Sequence, residues 1–303
     1  TFKGVKNYRF ELFYWDYVIG VLLVSLLLGL TMGSTGGPAA MIANLRQADG
    51  VSILYALAGG AVFNIANLLL VAAISIAGLA VAFPVGIGLA LVVGVLLNYA
   101  IAPAGNPMLL FGGVALVLAA IVVDALAYRT RGSDGSRNVA RGLKLAIACG
   151  FLMGIFYPLV TKSSAAPTGL GPYSVSFVFS IGVLLSALVF NTYLMRRPIT
   201  ADAPCHFRGY FAASSRTHLV GIVGGGIWGL GMTFSLVAGT THFVGPAVSY
   251  AIGQGATMVS AAWGVFVWRE FAGAPDSARK LLALMFALFL VGLGMVAIAP
   301  LNV

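Results

Sequence analysis

The chain has 303 residues, 60% of them hydrophobic and only 8% charged, with a formal net charge of +9. Soluble domains carry about a quarter charged residues. A mean hydropathy of +1.01, with repeated apolar runs near the ~20 residues that cross ~30 Å of hydrocarbon, predicts an all-α polytopic membrane protein. Continuous runs, rather than alternation over ~10-residue segments, exclude an outer-membrane barrel. Cys149 and Cys205, one in a span and one in a loop, form neither a disulfide framework nor a metal-ligand cluster. The basic excess falls between spans, so it reads as loop charge and not as a nucleic-acid surface.

Residues 1–11 are polar and basic, and a first span is predicted over 12–33. A loop at 34–50 follows, broken by Gly36, Gly37 and Pro38. Spans are then predicted at 51–76, 79–102 and 108–128, with a basic linker at 129–141. After it come spans at 142–161, 172–195, 218–239, 244–268 and 279–300, so four precede the linker and five follow it.

The two parts repeat. Gly59, Gly60 and Phe63 align with Gly224, Gly225 and Trp228 at an offset of 165; Gly86-Ile87-Gly88 aligns with Gly253-Gln254-Gly255 at 167. Gly20 pairs with Gly182 at 162, and Lys3 with Lys162 at 159. A full span lies before Lys162, but only Thr1 and Phe2 lie before Lys3, and the chain starts without Met. The expectation is therefore a ten-span fold of two inverted five-helix repeats, of which this chain holds nine spans and lacks the first: 1–128 as the first repeat, 129–141 as linker, 142–303 as the second repeat. An odd number of spans per repeat turns the second half upside down relative to the first.

Loop charge gives an orientation. Fifteen of the 17 basic residues lie on one side, including those of the stretches from Arg129 to Lys144 and from Arg196 to Arg216; Arg46 and Lys162 lie on the other. That side is expected to be cytoplasmic, in a cell membrane, with the C-terminus outside.

Several residues are candidates for chemistry. Asp16 lies about four residues into its span, and acids within spans are costly enough to suggest function. It reads either as a proton-coupling carboxylate or as an interfacial acid paired with Lys3, Lys6 or Arg9 among belt aromatics. Asn64 and Asn67, three apart in mid-span, offer carboxamides that donate and accept, suited to a polar solute or to helix–helix bonding. Tyr250 and Gln254, four apart, share a helical face beside paired glycines that free backbone to line a cavity or permit close packing. Trp228, too deep for an interfacial belt, supplies a stacking surface, and Tyr157, before Pro158, is a further lining candidate. Pro84 interrupts its span; Lys162 ends one as a dipole-offsetting cation; Lys3 is its counterpart at the opposite mouth. His218 and His242 bracket a span and read as interfacial. There is no HExxH, GxSxG or Walker A sequence and no acid–base cluster, so no cofactor and no enzymatic activity are expected.

FYWDYVIG (13–20), AGGAVFNIANLLLVAAISIAGLAVAFPVGIG (58–88) and WGVFVWREF (263–271) resemble the drug/metabolite transporter superfamily, and within it the ureide permeases and related glucose/rhamnose-type porters. The resemblance covers essentially the whole chain and implies ten helices in two inverted repeats. It also implies alternating-access uptake of a small polar solute, a ureide- or nucleobase-like heterocycle or a sugar, often with protons. Rival readings are an exporter of the same fold, a polytopic membrane enzyme acting on lipid, and a sensor or scaffold. Partners expected are the small-molecule substrate, protons and the lipid bilayer.

Overall fold

The computed structural model describes residues 5, 8–34, 40–77, 79–130, 139–199, 203–241, 243–267, 269 and 271–301. Lys3, Lys6, Gly36, Gly37, Pro38, the side chain of Pro84, Arg131, Arg137 and His242 lie outside the described residues. The described residues contain no strand. A backbone in lipid finds no water to bond, so apolar runs of this length close their hydrogen bonds within helices.

The helices are α1 (Phe10–Thr31), α2 (Met41–Gln47), α3 (Gly50–Ala77), α4 (Leu79–Ile101), α5 (Pro107–Thr130), α6 (Val139–Ser163), α7 (Pro172–Arg196), α8 (Phe207–Phe211), α9 (Ser215–Gly239), α10 (Gly245–Gly253), α11 (Gly255–Ala262) and α12 (Asp276–Ile298). Seven helical stretches among the described residues are long and apolar enough to cross a bilayer; they contain α1, α3, α5, α6, α7, α9 and α12. The chain is a multi-pass membrane protein. The span predicted at 79–102 is α4, a helix of 23 residues. The span at 244–268 is broken at Gln254 into α10 and α11, followed by a π-helical turn at Trp263–Val267. Gly253 and Gly255 flank Gln254, and each loses more backbone entropy in a helix than other residues do, which weakens the helix at this point. The short helices α2 and α8 lie in stretches expected to be loop.

Helix starts follow local chemistry. Proline, with no N–H to lose, stands in the first turn of α7 and of α10. Before α3, the Asp49 carboxylate accepts from the Ser52 N–H and from Ser52 Oγ, each at 2.8 Å, which holds this carboxyl below its ordinary range.

The chain divides into two compact units, Thr1–Leu68 with Pro158–Val237 and Leu69–Tyr157 with Ala238–Val303. Each draws on residues before and after the 129–141 stretch.

In the first unit, glycines let helices meet backbone to backbone. A Cβ on Gly20 of α1 would overlap the Ile222 carbonyl of α9, and one on Gly225 of α9 would overlap the Tyr17 carbonyl of α1. A Cβ on Gly182 of α7 would overlap the Leu57 carbonyl of α3, and one on Gly60 of α3 would overlap the Phe179 carbonyl of α7. Helix α7 makes four polar bonds to its neighbours. Ser176 Oγ shares a hydrogen bond with Thr233 of α9 (2.6 Å) and Ser180 Oγ with Ser25 of α1 (2.8 Å). Ser186 Oγ accepts from Asn64 Nδ2 of α3 (2.8 Å), and Asn191 Nδ2 donates to the Glu11 carbonyl of α1 (2.9 Å).

In the second unit, Gly113 of α5 and Gly292 of α12 each sit where a Cβ would press on the other's carbonyl, at 2.6 and 2.8 Å. Gly94 of α4 makes room for the Tyr250 ring of α10, and a Cβ on Gly154 of α6 would come within 2.7 Å of Val93.

Gly225→Ala and Gly60→Ala are expected to destabilise the protein by about 1–3 kcal/mol through overpacking. Gly231→Ala, on the same helix as Gly225 but with open space around its Cβ position, is expected to leave stability unchanged or raise it. Thermal unfolding of the three variants in one detergent distinguishes them.

Candidate functional site

The predicted residues of the first unit fall into two adjoining groups on α1, α3, α7 and α9. The first is a group of stacked rings. Trp228 of α9 stacks on Phe63 of α3, with centroids 4.4 Å apart and planes 26° from parallel. Phe179 of α7 lies 6.1 Å from Trp228 and 5.6 Å from Phe63, and Tyr17 of α1 lies 6.3 Å from Trp228. Tyr14 stacks on Tyr17 at 5.6 Å. Phe63 and Phe179 are buried, whereas Trp228 and Tyr17 are half-buried.

The two asparagines part company. Asn64 is fully buried and spends its Nδ2 on Ser186. Asn67, one turn along from Phe63 and on its face, is half-buried, and its Nδ2 donates to Tyr14 Oη at 3.3 Å. Of the pair, Asn67 stands beside the rings and Asn64 holds helices together.

The second group surrounds Asp16, which is 0% exposed. Its carboxylate lies 2.9 Å, at both oxygens, from Nδ1 of His218 in the first turn of α9, and Oδ1 also accepts from Tyr210 Oη of α8 at 2.7 Å. A carboxylate only accepts, so the imidazole presents its Nδ1–H to it. A Cβ on Gly221 would overlap that of Asp16, so α9 reaches the carboxylate only because this residue is glycine. The Tyr210 ring packs edge-on against His218 at 4.6 Å, and Tyr8 does so at 6.5 Å. Of the expected cationic partners, Arg9 pairs instead with Glu11 at 2.7 Å. Outside the spans, burial, the Asp16 hydrogen bond and the Asp16 charge push the Tyr210 phenol up. Burial and the same charge push the Tyr8 phenol up to about 12. Both phenols remain donors at any physiological pH.

His218 and Tyr210 were not singled out for chemistry from the sequence. The trace in the sequence is faint: His218 opens a span whose preceding loop lies on the same basic side as the start of the Asp16 span. Tyr210, in what reads as loop, leaves none.

The second unit holds Tyr157, Tyr250 and Gln254. Tyr157 and Tyr250 rings lie 5.2 Å apart. Tyr250 is buried, and its hydroxyl lies within donating distance of the carbonyls of Ala90 (3.1 Å) and Met153 (3.3 Å). Gln254 is half-buried at the break between α10 and α11, where its backbone N–H still bonds the Ala251 carbonyl at 3.1 Å. A cavity of about 510 Å³ in this unit is lined by Phe266, Arg269, Phe271, Arg279 and Phe286 among others, and by none of the predicted site residues. Among the described residues no group of three or more His, Cys, Asp or Glu is placed to hold a metal ion.

Tyr250→Phe is expected to cost about 1 kcal/mol of stability, the net worth of a buried hydrogen bond, since the phenol ties α10 to α4 and α6. Thermal unfolding of that variant measures it.

The family model and two curated relatives point to the same family. The family model described as Ureide permease matches residues 13–150 and 136–299. Two proteins of Arabidopsis thaliana, Ureide permease 1 and Ureide permease 2, are each 22% identical to the chain. The first match spans 92% of this chain and 86% of that protein, the second 94% and 87%. One crystal structure of a protein matches with a TM-score of 0.50 at 17% identity, covering 96% of this chain and 99% of the other; it speaks for the fold alone.

Proposed function

Since the chain belongs to the ureide permease family, we propose that it moves a ureide-like nitrogen heterocycle across a cell membrane by alternating access, with a proton carried at Asp16. That it is a transporter of small polar solutes and not an enzyme follows from the family itself. The relatives' names supply the ureide; the residues of the first unit supply the reason such a molecule fits.

The observation that carries the reading is the ring group beside Asn67. A planar heterocycle with its own N–H and C=O groups needs a flat apolar surface and an edge that both donates and accepts. Trp228 and Tyr17 are the half-buried rings of the group, packed against buried Phe63 and Phe179, and supply that surface. Stacking of this kind contributes about 0.5–1.5 kcal/mol per ring pair beyond burial. Asn67, tethered to Tyr14 through one N–H, offers its carbonyl and second N–H to the solute.

Support for an inverted repeat comes from the close contacts of the first unit. Gly20 against Ile222 becomes Gly182 against Leu57 when α1 is moved by 162 residues and α9 by −165; Gly225 against Tyr17 becomes Gly60 against Phe179. The same operation exchanges Phe63 with Trp228 and Tyr17 with Phe179, so the ring group maps onto itself. Transporters built from repeats place their substrate where the repeats meet, and this group has that character. Gln254, at a helix break in the second unit, is the further candidate contact. The basic loops Arg129–Lys144 and Arg196–Arg216 are assigned to the cytoplasm and the C-terminus to the outside.

In proteoliposomes, Trp228→Ala and Asn67→Ala are each expected to raise the KM for allantoin at least tenfold at unchanged protein insertion. Uptake kinetics equal to wild type in both variants would remove the ring group from the transport site.

A further inference from the structure

Asp16 is not a solitary carboxylate. It is fully buried, yet two donors from different elements converge on it: His218 Nδ1 of α9 and Tyr210 Oη of the short helix α8. Both contact Oδ1, and His218 also contacts Oδ2. The second imidazole nitrogen, Nε2, is then the site at which a further proton adds. Deprotonated, the pair carries one negative charge; with a proton on Nε2 it is an imidazolium–carboxylate pair of zero net charge. A group whose net charge vanishes on protonation is what a mobile element near lipid requires, because desolvating a charge is costly.

We propose that the transported proton is held by the Asp16–His218 pair as one unit, and that Tyr210 reads the charge of that pair and ties the α7–α9 linker helix to it. This rests on the proton-coupled reading above. Tyr210 is a positioning residue: its hydrogen bond to Oδ1 is strongest while His218 is neutral, since the imidazolium competes for the same oxygen. Acidification therefore loosens α8.

The titratable and charged groups that face the pair are few among the described residues. On the α1 side these are Tyr8, whose phenol is coupled to Asp16, and the Arg9–Glu11 ion pair, a turn or more before Asp16. On the linker side they are Tyr210 and, reached through Tyr8, Cys205. Burial and then the Glu11 charge push the Cys205 thiol up. The phenols stay protonated throughout the range in which imidazole titrates. Cys205, half-buried one residue before the cap of α8, is a natural reporter of that helix, while Cys149 is buried.

The test uses the full chain in proteoliposomes. His218→Gln keeps a donor on Asp16 but removes the titrating imidazole. Its allantoin uptake is expected to persist with a pH profile displaced to lower pH, because the imidazole that takes up the proton beside Asp16 is gone. Asp16→Asn is expected to uncouple uptake from the pH gradient. A His218→Gln midpoint equal to wild type overturns the paired proton site and leaves Asp16 acting alone. For the linker, maleimide labelling of Cys205 at pH 7.5 is expected to run at least threefold faster in Tyr210→Phe than in wild type; equal rates overturn the role of Tyr210. Should wild type carry no allantoin at any pH, the transport reading fails by itself. The pair is then judged by labelling alone, comparing wild type with His218→Gln at each pH so that the thiolate fraction cancels. A rate ratio that changes between pH 5.5 and 7.5 upholds it, and a constant ratio overturns it.

Discussion

Helix association inside a bilayer cannot draw on the hydrophobic effect, because lipid tails are as apolar as leucine. What remains is contact, and contact between backbones requires residues without side chains. The first unit of this protein depends on that condition at Gly20, Gly60, Gly182 and Gly225, each of which abuts a carbonyl of the facing helix that a Cβ would strike. These crossings do more than hold helices. They set α1 against α9 and α3 against α7 closely enough that Tyr17, Phe63, Phe179 and Trp228 share one stack, with the neighbouring glycine Gly221 admitting the Asp16 side chain. Large residues at those positions would separate the rings and expose the carboxylate together.

Hydroxyl and carboxamide bonds add to this contact without replacing it. Helix α7 reaches α1, α3 and α9 through Ser176, Ser180, Ser186 and Asn191. In membranes such bonds contribute about 0.6 kcal/mol each, so four of them amount to little beside the packing. Their value is directional. Each fixes a rotation of one helix about its axis, which decides whether Asn67 or Asn64 turns toward the rings.

Much of the first unit was legible in the sequence because lipid imposes length and apolarity on every span, and the boundaries of α1, α3 and α7 fall within two residues of those expected. The correspondence of Phe63 with Trp228 was legible too, since glycines at fixed offsets flank both. The continuity of 244–268 was misread: hydropathy averages over Gly253-Gln254-Gly255, where the helix breaks. The surroundings of Asp16 were not legible. A charged residue in the sequence announces that a partner is needed, but which one depends on how α8 and α9 fold back over α1. His218 and Tyr210 stand 202 and 194 residues away, and no periodicity connects residues across that separation. Arg9, one of the three cations expected there, pairs with a nearer acid, Glu11.

The placement of Asp16 next to Tyr17 joins the two groups mechanically. On α9, Gly221 faces Asp16 and Gly225, one turn later, faces the Tyr17 carbonyl. Both contacts lie on one edge of the same helix pair, within about 6 Å of helical rise. With no side chain in either gap, α1 and α9 can change register only as rigid bodies, because close-packed backbone switches between discrete arrangements and does not deform continuously. A change in how strongly His218 is drawn to Asp16 therefore acts first on the spacing at Gly221. That spacing is shared with the turn bearing Tyr17, whose ring borders Trp228. The shortest route from the Asp16–His218 pair to the stacked rings is one turn of two helices, and it runs through glycine at both ends.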